Sequence, residues 1–366
     1  MDDFVEYWSA GRLSLNGGCT YSPGELLSLE RQAGWGYGKP TPMWNPPWTL
    51  PLIMPFALFD YPVSRLLWFV SNAAIVLFCA SFLWRFYGGR PERMWPAGLI
   101  AYTFLPTIIM LTVGQSSAVV LLGAVLFLAW SERGAWWQAS LAMLFITFKP
   151  HLLYLVPLAF LLWAVGNRRW AQLLLSGTGI AAAAGLCAIS NPHIFQQHLY
   201  AISHNHLAQF QTPTIGRALM SLTGLREVWP QFIPMMLSVI WLFVHWWKKR
   251  CTWNWGREMV IISTVSVLAS PYAWPLDYVV MLLAILPMAA ALLKRGLDRV
   301  LVLALVFYPA IEAATVWRLL HPNGFYGFLW LAPALAWWCY FVARLIHFDC
   351  PIWTAGPGGR ADLLAP

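Results

Sequence analysis

Six short polar groups interrupt a sequence that is otherwise apolar, and each holds residue types that can do chemistry. The first is Asp2-Asp3-Phe4-Val5-Glu6-Tyr7-Trp8-Ser9-Ala10-Gly11-Arg12, followed by Gly17-Gly18 and Tyr21-Ser22-Pro23. Aromatic faces stack on the C–H faces of sugars, and a carboxylate can take a hydroxyl proton. Acids among aromatics and glycine turns therefore suit a sugar site, although an exposed tail with interfacial Tyr7 and Trp8 has the same composition. The second is Trp44-Asn45-Pro46-Pro47-Trp48, where prolines break a helix and the tryptophans fit a membrane-surface belt. The third, Gly114-Gln115-Ser116-Ser117, sets the polar Gln115 between two apolar runs, where a plain turn also fits.

The fourth group is Phe148-Lys149-Pro150-His151. A cation at a helix junction beside a histidine has a lipid phosphate as its natural partner, and a snorkelling lysine is the alternative. The fifth contains His193, His198, His204, Asn205, His206 and Gln211. His204 and His206 do not share a helix face at their spacing, and no carboxylate or cysteine completes a ligand set. A metal site is not expected there, and the histidines are left to bond a phosphate or a sugar. The sixth group lies late. Asp277 follows Pro271-Tyr272-Ala273-Trp274-Pro275, and Glu312 sits inside an apolar run ahead of Arg318 and His321. A carboxylate at membrane depth is costly and is a functional candidate; a structural Glu312–arginine ion pair is the competing account.

The elements that must position these groups are membrane helices. Of 366 residues, 59% are hydrophobic and only 10% charged, against about 25% charged in soluble domains. The apolar runs are continuous, which excludes the alternating pattern of a β-barrel. The fold class expected is an all-α polytopic membrane protein of about ten to twelve transmembrane helices. Spans are expected at 62–84, 95–113, 115–131, 135–148, 150–166, 170–190, 229–247, 258–273, 276–293, 299–317 and 326–346. The stretch 46–59, broken by Pro46, Pro47, Pro51 and Pro55, is expected to be re-entrant or interfacial.

The net charge of +8 does not point to nucleic acid, because the basic residues flank membrane segments. Fifteen of the 23 lysines and arginines fall in one set of joints: Arg85, Arg90, Arg93, Arg133, Arg168, Arg169, Lys248, Lys249, Arg250, Arg257, Lys294, Arg295, Arg299, Arg344 and Arg360. That set is expected to be cytoplasmic, leaving residues 1–61 and 191–228 outside. One integral membrane domain is expected over 1–348, with membrane helices over 62–348 and a cytoplasmic tail at 349–366. The acidic start has neither a basic region nor an apolar core of a signal peptide. An outside segment of that length needs an export signal, so a further membrane helix ahead of Met1 is expected. Cys19, Cys79, Cys187, Cys251, Cys339 and Cys350 form no CxxC pair, so neither a disulfide framework nor a zinc site is expected.

Taken in order, these pieces resemble glycosyltransferase family 87. The resemblance rests on Asp3-Phe4…Tyr7-Trp8…Ala10-Gly11-Arg12…Gly17…Tyr21-Ser22-Pro23, then Asn45-Pro46-Pro47-Trp48 with Leu50-Pro51-Leu52, Leu67-Trp68…Asn72, Gly114-Gln115 and Lys149-Pro150-His151. It covers residues 1–170 well and the later half mainly by hydropathy. It implies a GT-C-like bundle with outer-face loops in the plasma or inner membrane. It also implies an enzyme that moves a sugar, foremost mannose, from a polyprenyl-phosphate donor to a lipid or glycan acceptor.

Asp3 best matches the catalytic aspartate of such enzymes, with Asp2 adjacent. The reaction implied is an inverting displacement in which Asp3 is the general base. Lys149 and His151, with Arg318 in reserve, would hold the leaving phosphate. Tyr7, Arg12, Asn45, Gln115, His204, His206 and Asp277 are the substrate-binding candidates. A monophosphate donor needs no metal, and no cofactor is expected. The partners expected are the donor, the acceptor and membrane lipids, with no nucleic acid. A transporter or lipid flippase also fits the helices, but it predicts inverted internal repeats, which are not evident.

Overall fold

The structure is a computed structural model describing residues 2–205, 212–224, 227–295, 299–321 and 324–346. His206, Gln211 and the tail 349–366 lie outside the described residues. Regular structure among the described residues is helical, as the continuous apolar runs require.

The first sixty residues are not a plain loop. They carry α1 (Phe4–Leu15) and α2 (Pro23–Gln32). The prolyl stretch is broken as expected, into a 3₁₀ turn Pro47–Thr49, a single-turn α3 (Leu50–Ile53) and a 3₁₀ turn Phe56–Leu58. Proline removes a backbone donor and clashes with the preceding turn, so no continuous helix can form there. Next comes α4 (Tyr61–Phe86). Its 26 residues span about 39 Å, more than the roughly 30 Å hydrocarbon core.

The expected span 95–113 is two helices, α5 (Trp95–Thr103) and α6 (Leu105–Val113), bent by 65°. Pro106 cannot donate to the ladder and Phe104 is extended, so the helix breaks there. The break frees the Leu105 N–H, which donates to Glu312 Oε2 at 2.8 Å. Glu312 thus caps a broken helix, and among the described residues it makes no ion pair with arginine.

Then follow α7 (Ser117–Glu132), α8 (Trp136–Ile146) and α9 (Leu155–Gly166). The α7–α8 hairpin closes tightly at Gly123, where a Cβ would lie 2.8 Å from the Ile146 nitrogen. Small residues allow such approach between membrane helices. The rest comprises α10 (Trp170–Ser190), α11 (Ile194–Asn205), α12 (Ile215–Thr223), α13 (Ile233–Lys249) and α14 (Trp255–Leu268). A 3₁₀ turn Pro275–Met281 leads into α15 (Leu282–Arg295), followed by α16 (Arg299–Leu320), a 3₁₀ turn Phe325–Phe328 and α17 (Leu331–Leu345).

Among the described residues five helical stretches are long and apolar enough to cross a bilayer, and the bent α5–α6 pair makes six if it counts as one span. Eleven were expected. The stretches at 115–131, 135–148 and 150–166 hold helices of only 16, 11 and 12 residues. Those at 229–247 and 258–273 hold helices of 17 and 14. All are shorter than the roughly 20 residues of a typical span; turns at Gly134 and at Lys149-Pro150 cut the first three, and α14 ends at the turn after Leu268.

The stretch Pro275–Lys294 has 78% of its residues buried, while Trp170–Ser190 has 11% and Arg299–Leu320 has 17%. The first is therefore the centre of the bundle. α10 and α16 are peripheral and turn Leu174, Ile189, Leu305 and Val306 outward; such faces suit a lipid solvent, not water. Asp277 stands in the first turn of the central stretch, so the innermost helix delivers a carboxylate to one end of the bundle.

Candidate functional site

That end is where α1, the turn before α7, the turn before α9 and the start of the central stretch converge. Asp3 precedes α1, and its backbone N–H donates to Val113 O at 2.7 Å. The contact ties the start of α1 to the end of α6. Gly114 makes this approach possible: its φ is +78° and a Cβ there would meet Phe4 Cβ at 2.7 Å. Left-handed backbone costs other residues about 1–2 kcal/mol, so glycine is suited on two counts. Trp68 Nε1 donates to Gly114 O at 2.8 Å and stacks on Phe4. The turn and the helix are thereby held as one unit.

The polar groups form a chain. Gln115 Nε2 donates to Asp3 Oδ2 at 2.8 Å. Gln115 Oε1 accepts from Tyr7 Oη at 2.7 Å and from Lys149 Nζ at 2.8 Å. Lys149 Nζ also donates to Ser117 Oγ at 3.1 Å and to Asp277 Oδ1 at 2.7 Å. Ser117 Oγ donates to the same Asp277 oxygen at 2.6 Å, and Asp277 Oδ2 accepts from the Trp274 N–H at 2.9 Å. The sequence groups headed by Asp3, Gln115, Lys149 and Asp277 are thus one connected network. Burying Lys149 and Asp277 without each other would strand a charge; together each satisfies the other.

The two N-terminal aspartates differ. Asp2 accepts from Arg65 Nε through both oxygens at 3.1 Å, and from the Phe4 N–H. Asp3 Oδ1 has no protein donor among the described residues. Burial raises the Asp3 pKa above the ordinary carboxylate value, the Gln115 hydrogen bond and the Lys149 charge oppose that rise, and Asp2 and Asp277 add to it. Asp3 therefore has an open oxygen and a proton affinity above that of an ordinary carboxylate.

Glu6 joins this group, although the sequence reading did not single it out. Three residues after Asp3, it shares a face of α1 with it. It is buried, and its carboxylate accepts a long 3.4 Å contact from Thr41 Oγ1. Burial first and the Asp3 charge second push its pKa well above the carboxylate range. Ser117, the third polar residue of its turn, is the other member the sequence did not single out.

Asn45 Nδ2 donates to Phe148 O at 2.8 Å and Trp48 Nε1 to Thr147 Oγ1 at 3.3 Å. The prolyl segment therefore clamps the turn that presents Lys149. Arg12 donates to Ala57 O at 2.8 Å, and Trp8 Nε1 to Phe59 O at 3.0 Å, which fixes α1 against the same segment. His151 sits in that turn. Its carbonyl accepts from Ser270 Oγ at 2.9 Å, and its ring meets Tyr272 edge-on.

Two candidates have their contacts elsewhere. Arg318 donates to the carbonyls of His321 and Gly324 and lies over Gly327, where a Cβ would be 1.7 Å from its Nε. His204 is exposed on α11, stacked on Tyr200 at 3.8 Å with Nδ1 against the Tyr200 carbonyl.

At the other end of α1 from Asp3, where Ser14 and Leu15 reach it, an apolar groove of about 360 Å³ runs between the prolyl segment and the α10–α11 junction. Leu50, Pro51, Met54 and Leu58 line one side, and Leu186 and Ile194 the other. Carboxylates and a cation at the end of a membrane bundle can receive a polar head, and the groove, one length of α1 away, can receive an apolar chain.

No curated protein matches the chain, and no solved structure does. The model of glycosyltransferase family 87 matches residues 44–271, which run from the prolyl segment through the Gln115 and Lys149 turns to the end of α14 and beyond. The chain belongs to glycosyltransferase family 87.

Proposed function

We propose that this membrane glycosyltransferase moves a sugar, foremost mannose, from a polyprenyl-phosphate donor to a lipid or glycan acceptor, with inversion at the anomeric carbon. The site faces the outside of the plasma or inner membrane in this reading, as the charge bias of the joints requires.

The observation that carries it is the hydrogen-bonded line Asp3–Gln115–Lys149–Asp277. Asp3 Oδ1 takes the proton of the acceptor hydroxyl. The hydroxyl oxygen bonds to the anomeric carbon as the bond from that carbon to the phosphate oxygen breaks. The leaving group departs as the polyprenyl phosphate. A positioned base of this kind contributes about 10²–10⁴-fold. Its burial supports the role, because a carboxylate of raised pKa is a stronger base than a solvated one.

Lys149 supplies positive charge near the departing phosphate. An ammonium has three donors, and Gln115, Ser117 and Asp277 use all three. Lys149 therefore acts as a fixed nearby charge, and direct contact with phosphate requires Gln115 or Ser117 to yield. His151 completes the phosphate side; Arg318, the reserve candidate, bonds the carbonyls of His321 and Gly324 instead. Tyr7, Arg12 and Asn45 are the remaining candidates for substrate contact near Asp3, and the prolyl groove takes part of the donor's apolar chain.

The test is transfer of label from radiolabelled polyprenyl-phosphate mannose to lipid or glycan in membranes carrying this protein. Product that disappears with Asp3→Asn, at equal protein level, supports the assignment. Full activity in Asp3→Asn removes Asp3 as base, and no transfer from any polyprenyl-phosphate sugar removes the donor class.

A further inference from the structure

A second and larger groove lies between α14 and α17, with Met288 of α15 as part of its floor and a volume of about 1010 Å³. Its walls are apolar, with Val260, Val265 and Leu268 facing Trp337. Its two ends differ. Leu268 leads on to Ser270, which holds the His151 carbonyl, so that end adjoins the Asp3–Asp277 network. The other end carries Arg257, near the start of α14, and Arg344, near the end of α17.

Among the described residues neither guanidinium joins an ion pair. Arg257 receives only backbone capping, its N–H donating to Asn254 Oδ1, and Arg344 lies 5.9 Å over the Tyr340 ring. A groove of this size and apolarity is filled by hydrocarbon in a bilayer. Two unpaired guanidiniums at its mouth call for an anion on the same molecule, and guanidinium matches phosphate oxygens in pairs. Basic pockets between membrane helices hold anionic headgroups in this way. The sugar donor does not meet that requirement, because its one phosphate belongs beside Asp3, at the opposite end.

We propose that this groove binds an anionic glycerophospholipid, with an acyl chain along α14 and α17 and the headgroup phosphate between Arg257 and Arg344. The proposal rests on the reaction assigned above only in excluding the sugar donor; the groove and its two arginines stand without it.

The test uses the purified full chain in phosphatidylcholine nanodiscs, titrated with phosphatidylglycerol and followed by native mass spectrometry. One phosphatidylglycerol is expected to be retained about tenfold or more tightly than phosphatidylcholine. Arg257→Gln with Arg344→Gln should erase that preference, while Arg257→Lys with Arg344→Lys, which keeps the charges and loses the paired contacts, should leave a reduced one. Ile261→Trp, which fills the groove and leaves the arginines, should reduce retention of both lipids. Equal retention of the two lipids by the native chain overturns the proposal. So does a preference unchanged in the double glutamine variant, or one-for-one displacement of phosphatidylglycerol by polyprenyl phosphate.

Discussion

Lys149 Nζ lies 2.7 Å from Asp277 Oδ1, across 128 residues of sequence, and both side chains are shielded from solvent. The pair joins the turn before α9 to the first turn of the central stretch, so its integrity bears on the fold and, in the proposed reaction, on the charge near the departing phosphate. Removing one partner of a buried pair costs about 3–5 kcal/mol, because the other charge is stranded. Lys149→Met and Asp277→Asn are each expected to destabilise the protein by about that amount. The double variant should lose well under the sum of the two. Urea unfolding of the detergent-solubilised protein measures all three, and strictly additive losses would show that the two groups do not act as a pair.

The pH dependence of transfer follows from the neighbours of Asp3. Its pKa is raised by burial and held back by Gln115 and Lys149. As the proposed base Asp3 must be ionised, so activity is expected to be lost as pH falls through its pKa. Gln115→Ala removes a stabiliser of the anion, which raises that pKa further. The acid limb of kcat/KM should therefore move to higher pH in Gln115→Ala, with the plateau less affected. A limb that stays put or moves down would contradict the role given to Gln115.

Gly114 tests whether the placement of α1 controls the chemistry. Gly114→Ala meets both a left-handed backbone at φ +78° and the Phe4 side chain. It should push α1, and Asp3 with it, away from the Gln115 turn. Displacements of about 1 Å can cost about a hundredfold in rate, so kcat should fall at least tenfold while donor KM changes little. Gly134→Ala is the control: its φ is +71° but nothing lies within 4 Å of the added Cβ. It carries backbone strain alone and should retain transfer. Equal effects of the two substitutions would mean that strain, not displacement of α1, is responsible.

What the sequence disclosed and what it hid divide along physical lines. The all-helical class, the break at the prolyl segment and the importance of the Gln115 and Lys149 turns follow from apolar runs and from polar residues where few are tolerated. The number of spans does not, because hydropathy does not register the 65° bend at Phe104 or the helices of 11 to 16 residues between turns. The Lys149–Asp277 pair was also hidden. Each residue stood out alone, but pairing across 128 positions depends on which helix occupies the bundle centre. Glu312 is a third case. Its cost at membrane depth was plain from sequence, yet its partner is a backbone N–H released by a helix break. Glu6 was accessible in principle, since its spacing from Asp3 places both on one face once α1 is known to be a helix.

The prolyl groove gives a prediction that separates binding from chemistry. Pro46, Pro47, Pro51 and Pro55 prevent a regular helix, and the resulting short turns leave the groove beside the end of α10. Its lining is mostly apolar, with Ser14, Ser190 and Asn191 as the polar members, which suits a prenyl chain better than the acceptor's sugars. Leu186 faces the groove from α10 and is 58% exposed, so a larger side chain there leaves the protein core intact. Leu186→Trp should fill the groove and raise the donor KM several-fold. The kcat at saturating donor should persist, because Asp3, Gln115 and Lys149 are untouched and only ground-state binding is lost. The increase should be smaller for a donor with a short prenyl chain, which forgoes most of the groove contact. If the acceptor KM rises and the donor KM does not, the groove belongs to the acceptor's lipid.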